Sequence, residues 1–307
     1  RIANAASISR WCSTAPKALK STRRPCLRRP ISSVSYSLAQ LEQQCGFPLL
    51  GRGTSRAELT ERGRVLLAEA AKSVVSCSME LGGNAPFVVF DDADLDAALN
   101  GAMIAKMRNA GEACTAANRF YVQSGIHDAF VAGLTERMAA LKVGPGTDPA
   151  TQVGPMITTR AVQKIGRLVQ EAVSLGARVT TGGAALPGSG YYYPPTVLDN
   201  VSPDAAIAHE EIFGPVAPVY RFETEDQAIR LANATEYGLA AYVYSGDLSR
   251  ALRVGKGIEA GMIAINRGLM SDPAAPFGGA KQSGLGREGG VTGILEFMEP
   301  KYFAVAF

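Results

Sequence analysis

From about Val74 onward the sequence alternates short apolar runs with amphipathic stretches at helical spacing. This alternation constrains the fold more than any other feature. Phe87-Val88-Val89-Phe90 and Phe120-Tyr121-Val122 read as buried strands, with further strands at 178–180, 216–221, 240–244 and 262–265. Between them the spacing predicts helices over 91–109, 127–141, 160–176, 225–234 and 248–254. Asp91-Asp92-Ala93-Asp94 is an acidic start for the first helix, and Gly144-Pro145-Gly146 breaks the chain after the second. An alternation of this length predicts an α/β fold on an open, mostly parallel sheet. Residues 301–307 read as a terminal strand.

The first 76 residues are of another kind. They hold 13 Lys/Arg against 4 Asp/Glu, whereas the rest of the chain holds 18 against 24, which hints at two origins. Residues 1–30 carry eight basic residues, no acid and no sustained period. They are expected to form a disordered leader, with a transit peptide or a nucleic-acid arm as the alternatives. Ser32 to Glu42 reads as a Ser-opened helix, followed by a loop with Gly46 and Pro48, then Arg52-Gly53-Thr54, and a second helix over 59–67. This segment resembles the second half of the winged helix-turn-helix of LysR-type transcriptional regulators. In that family the Ser-rich helix enters the major groove and a wing follows. Residues 1–30 do not supply the helices that pack behind the recognition helix, so nucleic-acid binding is not expected.

Composition excludes several classes. No apolar run approaches the roughly 18 residues of a membrane helix, so no membrane partner and a cytoplasmic location are expected. Five scattered cysteines, with no CxxC, give neither a disulfide framework nor a zinc site, and no metal is expected. The only two histidines, His127 and His209, sit in no local motif, which disfavours a His-based triad.

Chemistry concentrates in four places. Cys114 lies in Gly-Glu-Ala-Cys-Thr-Ala-Ala-Asn-Arg (111–119), where small neighbours leave backbone N–H groups room near the sulfur. It is a nucleophile or an inert core thiol. Glu80 precedes Leu-Gly-Gly and is a mobile base or an exposed cap. Glu211-Ile212-Phe213-Gly214-Pro215 places a carboxylate two residues before an aromatic, suited to a ribose diol and a planar ring, or simply to a turn with a core Phe. Residues 276–289 form a long Gly-rich loop in which Gly284, Gly286 and Gly289 fit G-x-G-x-x-G. A dinucleotide fingerprint is rejected there, because no strand leads into the glycines and too little chain follows for a βαβ unit. The loop is expected to deliver side chains to a site.

Together these motifs, in this order, resemble the aldehyde dehydrogenase superfamily over about residues 74–307. The resemblance implies oxidation of an aldehyde with NAD or NADP. It implies Cys114 as nucleophile, Glu80 as the base that activates water, Glu211 on the nicotinamide ribose, Phe213 near the nicotinamide, and Phe277 as a wall of the aldehyde tunnel. Met107-Arg108-Asn109-Ala110-Gly111 and Lys281-Gln282-Ser283-Gly284 look like succinate-semialdehyde dehydrogenase, which implies Arg108 and Ser283 as ligands of a distal carboxylate. An Arg fork suits a carboxylate, although Arg108 also reads as a helix-end cation. Ala116 stands where some relatives carry a second cysteine, which excludes an adjacent disulfide switch.

The implied organisation is a leader over 1–30, a partial winged helix-turn-helix segment over 31–73, the catalytic domain over 74–280, and a C-terminal loop and oligomerisation strand over 281–307. A homo-oligomer is implied, and most of the family's N-terminal cofactor domain is expected to be missing. Two other readings are an inactive fusion remnant and a DNA-binding regulator carrying an enzyme-derived domain.

Overall fold

The computed structural model describes residues 78–307, together with 50–51, 58–59, 68 and 71–73. In the N-terminal part, β1 (Leu50–Gly51) pairs antiparallel with β2 (Glu58–Leu59), Leu50 opposite Leu59. Leu59, expected to open a helix, is therefore in a strand. The expected helix at 32–42, the leader and most of 59–67 lie outside the described residues.

The remainder is built on one sheet. After β3 (Met79–Glu80) come β4 (Ala85–Val89), α1 (Leu95–Met107), a tight turn at 108–111, β5 (Ala117–Gln123), α2 (His127–Ala139) and α3 (Thr159–Ser174). Then follow β6 (Arg178–Thr181), β7 (Thr196–Asp199), α4 (Ala206–His209), β8 (Val216–Phe222) and α5 (Glu225–Asn233). The chain ends with β9 (Tyr237–Gly238), β10 (Ala240–Tyr244), α6 (Leu248–Gly257), β11 (Met262–Ile265), β12 (Ala280–Lys281), β13 (Gly284–Leu285) and α7 (Gly290–Leu295). Seven strands form the central sheet in the order β11-β10-β4-β5-β8-β7-β6. Every neighbouring pair is parallel except β6 with β7.

Alternation along each strand sends side chains to two cores. Ala85, Phe87 and Val89 face a cluster shared with Leu99 and Ala102 of α1 and Phe130 and Leu134 of α2. Val88 and Phe90 face the opposite cluster, shared with Ile165 and Leu168 of α3, Ala228 of α5 and Val254 of α6. Helices on both faces explain why the strands read as continuous apolar runs. Local chemistry sets the helix starts: Asp94 caps α1 by accepting from Ala97 N at 3.0 Å, and Thr158 caps α3 through Ala161 N at 3.1 Å.

Residues 196–199 form β7, a strand the sequence reading did not include. Residues 301–307 form no strand within this chain; Tyr302, Phe303 and Phe307 are exposed, and no strand among the described residues lies alongside to satisfy a ladder.

Candidate active site

The four motifs converge at the ends of β4 and β5. Glu80 is carried by β3, which pairs antiparallel with β13 of the Gly-rich loop, Glu80 opposite Gly284. Gly284 has φ +132°, and a methyl group there would collide with the Met79 carbonyl, so only glycine lets the two strands meet. Beyond Glu80, Gly82-Gly83 passes directly beneath the thiol loop. A side chain on Gly83 would run into the Cys114 carbonyl oxygen. The bare backbone at Gly83 lets the segment after Glu80 lie against the thiol loop, close enough for the Glu80 charge to act on the thiol 34 positions away.

Cys114 is half-buried, and its thiol is pushed above its ordinary value. Loss of water is the largest cause, followed by the negative charges of Glu211 and Glu80. Its own N–H and that of Thr115 act the other way, aimed at the sulfur as an anion there would require. Glu80 is raised to about 7, first by burial and then by a side-chain hydrogen bond and like charge from Glu288. Glu288 is held by reciprocal backbone bonds with Phe277, at 2.6 and 2.7 Å. A carboxyl titrating near neutrality can take a proton from water and return it.

The sign of the resulting pH dependence follows. Glu80 is a base only when ionised, so any step that needs it should rise with pH through about 7 and fall away below. Glu288→Gln removes the like charge and offers an amide donor, which favours the Glu80 carboxylate, so the midpoint should drop below that of the wild type. The pH profile of acyl-enzyme breakdown tests both; a midpoint unmoved by Glu288→Gln contradicts the pairing.

Glu211 is half-buried and accepts from Gly83 N at 2.9 Å. Its backbone oxygen accepts from Lys164 Nζ. Burial raises its carboxyl, while the Gly83 N–H, Lys164 and Lys106 lower it. A carboxylate has several lone-pair sites, so one bond to Gly83 leaves capacity for a ribose hydroxyl. Phe213, with φ +54°, turns outward and is 39% exposed, while Ile212 beside it is buried. Glu211 and Phe213 are therefore the residues here that could hold a sugar hydroxyl and a planar ring.

Arg108 stands exposed at the start of the turn before Cys114, its Nη2 donating to Thr115 Oγ1 at 3.3 Å. Asn109 and Ala110 both have φ above +50°, so the backbone reverses between the Arg and the thiol. Phe277, Met270, Met107 and Cys114 all pack, partly buried, against the same apolar core cluster.

Ser283 is committed to the backbone. It is fully buried, donating to Gly82 O at 2.7 Å and accepting from Gly238 N at 2.9 Å. Its single hydrogen is spent on the backbone, so it pins the Glu80 turn rather than offering a bond to a substrate carboxylate. Sequence reasoning missed Lys106, Asn118 and Glu288. Lys106 did leave a signal: it falls on the four-residue stripe Ala98, Ala102, 106, where a helix with this buried face should carry an apolar side chain.

The site thus gathers a thiol, a carboxyl poised near neutrality and a second carboxylate two residues before an exposed aromatic. Residues 59–303 match the family model described as "Aldehyde dehydrogenase family", and the chain belongs to that family. Residues 27–64 match the model described as "Bacterial regulatory helix-turn-helix protein, lysR family".

Among individual relatives, a succinate-semialdehyde dehydrogenase of Paenarthrobacter nicotinovorans is 58% identical over 80% of this chain and 55% of its own length. A glutarate-semialdehyde dehydrogenase of Pseudomonas putida is 50% identical over 90% of this chain and 57% of its own. A crystal structure of an E. coli NADP-dependent enzyme superposes with a TM-score of 0.77 at 48% identity, over 80% of this chain and 51% of that one. The chain spans about half the length of the curated relatives it matches. No helix among the described residues is long and apolar enough to cross a membrane.

Proposed function

We propose that this chain carries the thiol half of an NAD(P)-dependent oxidation of an aldehyde with a distal carboxylate, succinic semialdehyde foremost. The observation that supports this best is the meeting of Cys114, Glu80 and Glu211 around the Gly82-Gly83 turn.

The Cys114 thiol loses its proton to solvent, Sγ attacks the aldehyde carbon, and the new alkoxide finds the N–H groups at the thiol loop. A bound nicotinamide cofactor would accept the hydride that turns this adduct into a thioester, and Glu211 and Phe213 would hold its nicotinamide-ribose end. Glu80 then takes a proton from water. The water oxygen attacks the thioester carbonyl, the C–S bond breaks, and the acid leaves with Cys114 regenerated. Arg108, exposed beside the thiol loop, receives the distal carboxylate, and Phe277 flanks the aldehyde chain. The names of the two semialdehyde dehydrogenase relatives support that substrate class, and their aldehydes differ by one methylene.

The exposed Phe297, Tyr302, Phe303 and Phe307 suit burial against a second copy, in keeping with a homo-oligomer.

The test is reduced-cofactor formation by purified protein with succinic semialdehyde and NAD or NADP, beside an intact relative. No product while the relative turns over would refute the activity. Arg108→Met should raise KM for succinic semialdehyde about 10–100-fold, the worth of a hydrogen-bonded charge, and leave butanal unaffected. Equal losses for both aldehydes would remove Arg108 from the carboxylate site.

A second reading attaches to the N-terminal segment. Its regulator-like match and the β1–β2 ladder, placed where a wing would lie, support DNA contact. That reading expects a gel shift whose affinity falls steeply with salt; no shift at low salt would end it.

A further inference from the structure

Lys106 takes no part in the chemistry above and has no contact with solvent. It ends the buried stripe of α1, and a buried ammonium is costly unless something compensates it. Its Nζ donates to Asn118 Oδ1 at 2.9 Å. Asn118 Nδ2 reaches Gly83 O at 3.4 Å, and Gly83 N donates to Glu211 Oε1 at 2.9 Å. A chain of hydrogen bonds therefore leads from the ammonium, through the turn beneath Cys114, to the cofactor-side carboxylate.

We propose that Lys106 is a positioning residue of the aldehyde-oxidising site, a fully buried cation that through Asn118 holds the Gly83 turn under Cys114 and, with Lys164, supplies counter-charge to Glu211. The inference rests on Cys114 as nucleophile and Glu211 as the ribose-side carboxylate. Electrostatics agree with the geometry. Burial lowers Lys106 to about 7, and the attraction of Glu211 opposes that fall. Burial raises the Glu211 carboxyl, and the Gly83 N–H, Lys164 and then Lys106 draw it down. The titratable groups gathered here are Glu211 and Glu210 after α4, Lys164 of α3, Glu80 of β3, Cys114 before β5 and Tyr237 of β9.

The consequence has a sign opposite to that of simple damage. Without Lys106, Glu211 loses a counter-charge, and its carboxyl rises further, so more of it is protonated. Its negative charge, which holds the Cys114 thiol up, is then weakened. Lys106→Met should therefore let more of the Cys114 thiol ionise near neutral pH. The rate of alkylation at neutral pH should rise about threefold, because a less basic thiolate is also a weaker nucleophile. Methionine fills similar volume, and Glu211 can neutralise by taking up a proton rather than remain an unpaired buried charge; Lys106→Gln, which keeps a donor for Asn118 Oδ1, serves as the second variant.

The experiment is a double-mutant cycle on the full chain. Iodoacetamide modification of the Cys114 peptide is followed by mass spectrometry from pH 6 to 10, apart from the other four cysteines. Wild type, Lys106→Met, Glu211→Gln and the double variant are compared. A downward shift with Lys106→Met that vanishes in the Glu211→Gln background is the expected result. Equal shifts in both backgrounds, or none in either, overturn the inference and make Lys106 a packing residue. A wild-type Cys114 that resists alkylation at every pH sinks the nucleophile reading, and the inference with it; a reactive Cys114 with additive shifts sinks the inference alone.

Discussion

Glu80→Gln should trap the acyl-enzyme: acylation of Cys114 survives while release of the acid slows by about 10²–10⁴-fold, the usual worth of a positioned proton acceptor. An activated aryl ester shows this without any cofactor. Wild-type protein should give a burst of phenolate equal to the thiol concentration, then steady turnover. Glu80→Gln should keep the burst and lose the turnover, and Cys114→Ala should lose both. The structural basis is that Glu80 is held by the β3–β13 pairing rather than by the thiol, so the amide should leave Cys114 in place. The amide also removes one of the two charges that raise the thiol, so the burst should come no slower than in the wild type. Turnover of Glu80→Gln at the wild-type rate would show that water is activated by another group.

Arg119→Leu should be the most damaging single change to stability, about 3–5 kcal/mol. Arg119 is completely buried in β5, and its Nε donates to Asn84 O at 2.9 Å. Its two terminal nitrogens donate to Leu231 O at 3.0 Å, Ala232 O at 2.9 Å and the Tyr121 hydroxyl at 3.2 Å. Leucine would fill the space but leave three carbonyls without these donors, each costing about 1–3 kcal/mol, partly recovered by relaxation. Asn84 follows the Gly82-Gly83 turn, so the loss should also slow Cys114 alkylation. The urea midpoint, read with an unchanged slope, measures the effect. Tyr121→Phe is the control and should cost about 1 kcal/mol; a comparable loss from both would place the stability in tyrosine packing instead.

The fold was legible because its signals are local. Strands 240–244 and 262–265 and the helix start at His127 lie where the residue pattern puts them, since apolar runs and helical periods record which face each element buries. β7 is only four residues long and follows Pro194-Pro195, although proline at a strand's entrance costs the ladder nothing. The 301–307 segment reads as a strand by its alternating apolar residues, yet alternation supplies no partner.

The sequence by itself determined an α/β chain of aldehyde dehydrogenase type, with one thiol, two carboxylates and a Gly-rich loop in telling order. Only the tertiary structure decided what those groups can do. It turned Ser283 inward onto Gly82, a bond between residues 201 positions apart, and it set Glu288 against Glu80. It also buried Lys106 beneath the thiol loop. The physical reason is that periodicity reports neighbours along the chain. A carboxyl that titrates near 7 and a thiol held above its ordinary value depend instead on water excluded, and charge supplied, by segments that meet only when the sheet is assembled.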